Sequence, residues 1–228
     1  MRFLHKEYQF MFELSENSRA LLVVEQPKLF REMVKELVCE EEIEDGKFIL
    51  SEDNQPLKLK EKMCCVINPF NISLNEKKIL NKLYEYLKKE IGVSELLLEN
   101  NQVYAELEQY ALKVIQVADW ELIYSEKTEI SNLLKFLDIR FSENQTELIE
   151  KIVDYIKGAN ELLGIKCFVF VHLLAYLNGY EVKKLYEFAE YQKVNILLLE
   201  SEEPSNVKEF SPVVIIDKDG CEIDIDMR

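Results

Sequence analysis

Between Ser73 and Leu163 the chain has no proline and only two glycines, Gly92 and Gly158, and short, fully apolar runs flank that stretch on both sides. Proline removes a backbone donor and clashes with the turn before it, so a long span without it is compatible with continuous helix. The flanking runs read differently. Leu21-Leu22-Val23-Val24, Cys64-Cys65-Val66-Ile67, Cys167-Phe168-Val169-Phe170-Val171 and Ile196-Leu197-Leu198-Leu199 have the short, unbroken apolar character of strands buried on both faces. Pro27, then Phe30, Met33, Val34 and Leu37 at helical spacing, follows the first run; Val182, Leu185, Phe188 and Ala189 follow the third. Strands alternating with helices predict an α/β domain built on a mostly parallel sheet with both faces covered. The expected organisation is an α/β head over residues 1–72, a helical leg inserted over 73–163, and the rest of the head over 164–228.

Inside the insertion, Ser73 with Glu76 and Ser142 with Gln145 have capping-box spacing, each ahead of an apolar stripe. The stripes are Leu80, Leu83, Leu87 and Ile91, then Leu148, Ile152, Ile156 and Leu163, which Gly164 is placed to end. Between them, Val103, Leu107, Tyr110, Val114 and Ile115 predict a helix of about 20 residues, or ~30 Å. Leu133, Leu134 and Leu137 resume the spacing after a brief alternation at Trp120, Leu122 and Tyr124. At the ends of the chain, Tyr8, Phe10, Phe12 and Leu14 alternate as in a half-buried strand, and Phe48-Ile49-Leu50 is a short strand candidate. Val213 to Ile216 pairs across Lys218-Asp219-Gly220 with Ile223 and Ile225 as a hairpin.

No stretch approaches the ~20 apolar residues of a membrane span, and MRFLHKEYQF lacks the continuous apolar core of a signal peptide, so a cytoplasmic protein is expected. The five cysteines are odd in number, two are adjacent, and none form C-x-x-C, which suits reduced core thiols. With 43 acidic against 28 basic side chains the formal net charge is -15, which taken as a total argues against nucleic acid. The acidic run Glu40 to Asp45 reads as a solvated loop.

The chemistry that usually accompanies such a sheet is missing. G-x-x-x-x-G-K-[ST] is absent, and after the first apolar run stand Glu25, Gln26, Pro27 and Lys28, with no glycine and one amide lost to proline. His5 and His172 are the only histidines, and no nucleophile-base pair can be built from them. Asp217-Lys218-Asp219-Gly220 has its glycine too early for a calcium loop. Asp119, Glu121, Glu126 and Glu129 are hard oxygen donors around a break between helices, where calcium could sit. Lys58, Lys60 and Lys62 would share one face of an extended segment, and Lys135 and Arg140 flank Phe136-Leu137. Cations so placed suit phosphate contacts that read no sequence.

The order of segments resembles the ring-forming spacer-acquisition protein family of type II-A CRISPR systems. Leu22-Val23-Val24-Glu25 with Phe30 is similar to its first strand and helix, and Leu133-Leu134-Lys135-Phe136-Leu137 with Ile139-Arg140-Phe141 to its leucine-lysine helix and following basic strand. Phe168-Val169-Phe170-Val171 with Ala175-Tyr176-Leu177 and Glu181, then Leu197-Leu198-Leu199-Glu200, is similar to its closing strand, helix and strand. The resemblance implies a head related to P-loop nucleotide-binding folds without the P-loop, and a homotetrameric ring threading linear double-stranded DNA. It also implies calcium ions holding the legs, with the CRISPR integrase complex and the RNA-guided nuclease of the locus as partners. On it, Lys135 and Arg140, and more loosely Lys58, are DNA contacts, to which the alternation adds Lys60, and the calcium segment maps near Asp119, Glu121, Glu126 and Glu129.

The expected function is therefore non-catalytic, sequence-independent binding of DNA ends during spacer acquisition, with no nucleotide and no membrane. A helical protein-interaction scaffold and a nucleotide hydrolase with an irregular phosphate site are the alternatives.

Overall fold

The computed structural model describes residues 1–15, 18–39, 46–124 and 129–225, so the Glu40 to Asp45 run lies outside the described residues. The chain divides into two compact units, one of Met1–Ser73 with Glu143–Arg228 and one of Leu74–Ser142.

In the first unit the elements run β1 (Arg2–His5), β2 (Met11–Glu13), β3 (Ala20–Val24), α1 (Pro27–Cys39), β4 (Phe48–Glu52), β5 (Gln55–Leu57), α2 (Leu59–Lys62) and β6 (Met63–Val66). In the second come α3 (Lys77–Val93), α4 (Leu96–Ile115) and α5 (Ile130–Phe136). The first unit then resumes with α6 (Leu148–Gly158), β7 (Cys167–Val171), α7 (Gly179–Gln192), β8 (Asn195–Glu200), β9 (Val213–Ile216) and β10 (Glu222–Asp224).

Six strands form the main sheet in the order β10-β9-β3-β8-β7-β6, with β10 antiparallel to β9 and the other pairs parallel. Because successive side chains point to opposite faces, each apolar run supplies two cores. Leu22, Val24, Cys167, Val169, Val171, Leu197 and Leu199 lie in one cluster with Leu29, Met33 and Leu37 of α1. Leu21, Val23, Phe168, Phe170, Ile196 and Leu198, equally buried, face the other way, the side of α6 and α7, whose Ile152, Ile156 and Leu185 are fully buried. Burial on both faces is what makes these runs uniformly apolar.

Several elements depart from the expectations. Helices alone do not cover the α1 face: an antiparallel sheet of order β2-β1-β4-β5 shares that cluster through Phe3, Phe12, Phe48 and Leu50. Of the Tyr8 to Leu14 alternation only Met11–Glu13 is paired strand, although Phe10, Phe12 and Leu14 are all buried. Asp53 and Asn54, at φ 49° and 60°, turn β4 back into β5, the backbone that a tight hairpin demands. His5, 2% exposed, accepts from the Glu7 backbone N–H at 3.2 Å, which leaves its Nε2 as donor to Glu36 at 3.0 Å. It is a packed structural histidine.

The inserted helical stretch expected over 73–163 is longer than the second unit, because α6 groups with the first. Ile149, Ile152 and Ile156 are buried, and α6 packs on α7. Neither expected capping box forms. Ser73 Oγ donates to Glu143 at 2.6 Å, Gln145 donates to Asp154, and α3 and α6 start at Glu76 and Glu147 without a side-chain cap. The box that does form is Asn178 with Glu181 at the start of α7. Gly164, at φ 71°, ends the helical run after Leu163 in the left-handed region that glycine favours.

Candidate nucleic-acid interface

The expected basic residues fall in both units. Lys58 and Lys60 belong to the first, where the extended segment expected for Lys58, Lys60 and Lys62 is instead the single turn α2. Residues two apart on a helix do not share a face, so the common face predicted by alternation is lost. Lys58 is 80% exposed and pairs with Glu61 at 3.1 Å. Lys60 is exposed, and Lys62 is half-buried, with its ammonium donating to the Gly164 carbonyl at 3.5 Å.

Lys135 and Arg140 lie in the second unit. Lys135 sits in the last turn of α5, where the helix dipole favours a cation, and its ammonium is 6.0 Å from the centre of the Tyr84 ring. Arg140 pairs with Asp138 at 3.4 Å, both widely exposed. The basic strand implied for Ile139-Arg140-Phe141 is irregular backbone, tied down by Asn75, which accepts from the Phe141 N–H at 2.9 Å and donates to its carbonyl at 3.1 Å.

The described residues of the acidic segment do not assemble a cation site. Asp119 and Glu121 are exposed, Glu126 lies outside the described residues, and Glu129 is engaged by Lys88 at 3.4 Å and Ser131 at 3.3 Å. Hydrogen bonding by Lys88 holds the Glu129 carboxyl below its ordinary range. Among the described residues no three His, Cys, Asp or Glu side chains come together as metal ligands. Among the described residues, Asp119 and Glu121 are solvated and Glu129 is held by an ammonium, so these three alone form no calcium cage.

At the carboxyl-terminal edge of the main sheet, where α/β proteins place ligands, the chain has arranged its own groups. Glu25 and Gln26 link β3 to α1, and Pro27 occupies the first helical position. His172 follows β7 at φ 56°, with its ring 4.7 Å from Phe30 and its Nδ1 3.5 Å from Glu200. Sequence reading left His172 without a partner; the partner ends a different strand, and only the pairing of β7 with β8 brings the two together. The Glu200 carboxylate, on a residue 6% exposed, accepts from the Leu174 N–H at 3.0 Å and so fills a position that a bound anion could otherwise take.

Burial raises the Glu200 carboxyl above its ordinary 4.5, while the Leu174 N–H and His172 oppose the rise. A carboxyl with a raised folded pKa contributes stability that is complete below the ordinary value and is lost as pH climbs through the raised one. Glu200→Gln keeps an acceptor for Leu174 and removes the charge. Thermal unfolding across pH is therefore expected to show the native chain losing stability relative to this variant above 4.5; parallel curves would contradict it.

Two of the five cysteines are held as inert thiols. Burial pushes the Cys65 and Cys167 thiols up to about 12, leaving almost no thiolate at neutral pH. Cys39 and Cys221 are exposed. An aromatic disulfide reagent is expected to titrate these two within minutes and the other three only with unfolding, read by absorbance of the released thiolate. Rapid release from Cys65 or Cys167 would contradict the buried assignment.

A sequence model of the family described as CRISPR-associated protein (Cas_Csn2) matches residues 40–220. The CRISPR-associated protein Csn2 of Streptococcus agalactiae is 23% identical over 209 residues, which cover 89% of each chain. Among solved structures, a protein from Pyrococcus furiosus described as an ABC transporter (ATP-binding protein) aligns with 92% of this chain and 100% of its own. Its identity is 12% and its TM-score 0.36, too low to carry an argument. Spanning both flanks of the inserted helices and most of the main sheet, the family match settles the chain's kinship: it belongs to the CRISPR-associated Csn2 family.

Proposed function

We propose that this chain is a non-catalytic binder of double-stranded DNA ends that acts as a homotetrameric ring in CRISPR spacer acquisition. The observation that carries the reading is an uncovered apolar seam in a member of this family. On α4, Val103, Leu107, Tyr110 and Val114 recur at intervals of four and three and are 41%, 42%, 66% and 45% exposed, and α4 has no buried residue. A four-three apolar repeat is the pattern of helices that pack against a partner helix. A second copy of the chain supplies that partner in the proposed ring.

The absent P-loop and the occupied carboxyl edge support the non-catalytic part. The lysines and arginine support contact with phosphates, and a ring resolves the conflict with the net charge of -15: cations turn inward while carboxylates face elsewhere. In adaptation the ring works beside the integrase complex and the RNA-guided nuclease.

The test is an electrophoretic comparison of linear and covalently closed double-stranded DNA of one sequence, each with calcium and with a chelator. Binding to linear DNA alone supports the threaded ring. Equal binding to both forms overturns end recognition, and binding to neither returns the helical scaffold as the better reading. The chelator arm decides whether calcium enters at all. Affinity is expected to fall by about 10³-fold or more between 50 and 200 mM salt if six or more phosphates are contacted.

A further inference from the structure

We propose that the amino-terminal edge of the main sheet is a DNA-backbone contact surface, formed by Lys62, Lys166 and Lys193. The proposal rests on the DNA-binding reading and adds to it the face of the first unit that meets the duplex.

Four adjacent strands, β6, β7, β8 and β3, are each preceded within two residues by a cation: Lys62, Lys166, Lys193 and Arg19. Backbone bonds tie three of these entry points into a row. The Lys166 N–H donates to the Lys62 carbonyl at 2.8 Å, and the Asn195 N–H donates to the Lys166 carbonyl at 2.8 Å. Neighbouring strands lie about 4.8 Å apart, so the row of three spans roughly 10 Å. Along that length a duplex, at one charge per ~1.7 Å over both strands, presents about six phosphates.

The Lys62 and Lys166 ammonium groups meet no carboxylate in their hydrogen bonds. Lys62 donates to the Gly164 carbonyl and Lys166 to the Asn160 side-chain oxygen at 3.1 Å, both neutral acceptors. Lys193 is exposed at the end of α7. Arg19 is excluded from the set because its guanidinium lies over the Tyr186 ring, 5.8 Å from its centre. Glu61, Glu161 and Glu190 are the nearby carboxylates in sequence, and Glu61 pairs with Lys58.

The opposite edge has the opposite sign. Glu25 follows β3, Glu200, Glu202 and Glu203 close β8 and its loop, and Asp217 and Asp219 follow β9, with Lys218 between them. A parallel sheet usually receives phosphates at that edge. Here a duplex brought to it meets carboxylates, whereas the amino edge offers cations. The head thus has its polarity reversed relative to a nucleotide-binding sheet.

The experiment uses the full chain in its assembled form and fluorescence anisotropy of a labelled linear duplex across a salt series. The double variant Lys166→Gln/Lys193→Gln is expected to flatten the slope of log affinity against log salt by about 0.9 per lost phosphate contact, so by nearly two for the pair, whatever the duplex sequence. Lys193→Gln alone, which leaves the Lys166 to Asn160 bond intact, is expected to flatten it by about one, and thermal melts of both variants control for folding. Glu202→Gln/Glu203→Gln, at the other edge, is expected to leave the slope unsteepened and unflattened within error. Folded lysine variants with the native slope and affinity overturn this surface and leave the DNA reading standing. A native chain that binds no duplex overturns both.

Discussion

Leu107→Glu combined with Tyr110→Glu is expected to break the proposed ring into smaller species while leaving the fold of the chain intact. Both side chains lie on the uncovered seam of α4, 42% and 66% exposed, so neither fills a core that the isolated chain needs. Glutamate is a good helix former, so α4 itself should persist. Across an interface between copies the same changes bury uncompensated charge, which costs several kcal/mol for each desolvated carboxylate. Sedimentation velocity should show the native chain near four times its 26.9 kDa and the variant well below it, with matching circular dichroism. A native mass of one chain, or a variant still at the tetramer mass, would rule out the seam as the contact. If ring closure confers the preference for ends, the variant should lose its discrimination between linear and closed DNA as well.

The second large effect concerns folding alone. Phe170 lies at 0% exposure in β7, between β6 and β8, on the α6 and α7 side of the sheet. Truncation to alanine removes its buried area and leaves a cavity, a loss of about 3–5 kcal/mol in close-packed cores. Urea denaturation should therefore show a large fall in midpoint for Phe170→Ala. Phe136→Ala is the contrast: its ring is 81% exposed at the end of α5, and a change of less than about 0.5 kcal/mol is expected. Similar losses at both positions would mean that Phe136 is covered in solution, which would itself point to an assembly contact.

How far the sequence could be read depended on the range of the interaction concerned. The run Cys167 to Val171 was legible because a strand buried on both faces must be apolar at every position. The α4 helix was legible over nearly its whole length, Gly164 as a stop was legible from backbone freedom alone, and the hairpin of β9 and β10 from its turn. The small antiparallel sheet was largely missed, since β1 and β5 are four and three residues long and their pairing lies beyond any local window. The capping boxes at Ser73 and Ser142 failed for another reason. Each motif is defined locally, but α3 and α6 begin later, at Lys77 and Leu148, so Ser73 and Ser142 do not stand at the cap positions.

The candidate site shows the same division more sharply. Lys58, Lys60 and Lys62 were identified as a basic group from spacing, yet their arrangement depended on α2 being a helical turn instead of an extended segment. Lys166 and Lys193 carried no signal at all in one dimension. They join Lys62 only because β6, β7 and β8 are neighbours and parallel, which puts all three strand starts on one edge. The acidic segment Asp119 to Glu129 was a fair reading of composition, but Lys88, on another helix, already holds Glu129.

The sequence by itself determined that the long apolar runs are strands, that the main periodic stretches are helices, and that no phosphate-cradling glycine loop follows β3. Those properties arise from backbone stereochemistry and from hydrophobic period, and both act within a few residues. Only the tertiary structure decided the order of the strands, the pairing of His172 with Glu200, the uncovered seam on α4 and the separation of basic from acidic edges. Each of these depends on which distant segments lie side by side, and packing energy summed over the whole core, not local preference, makes that choice.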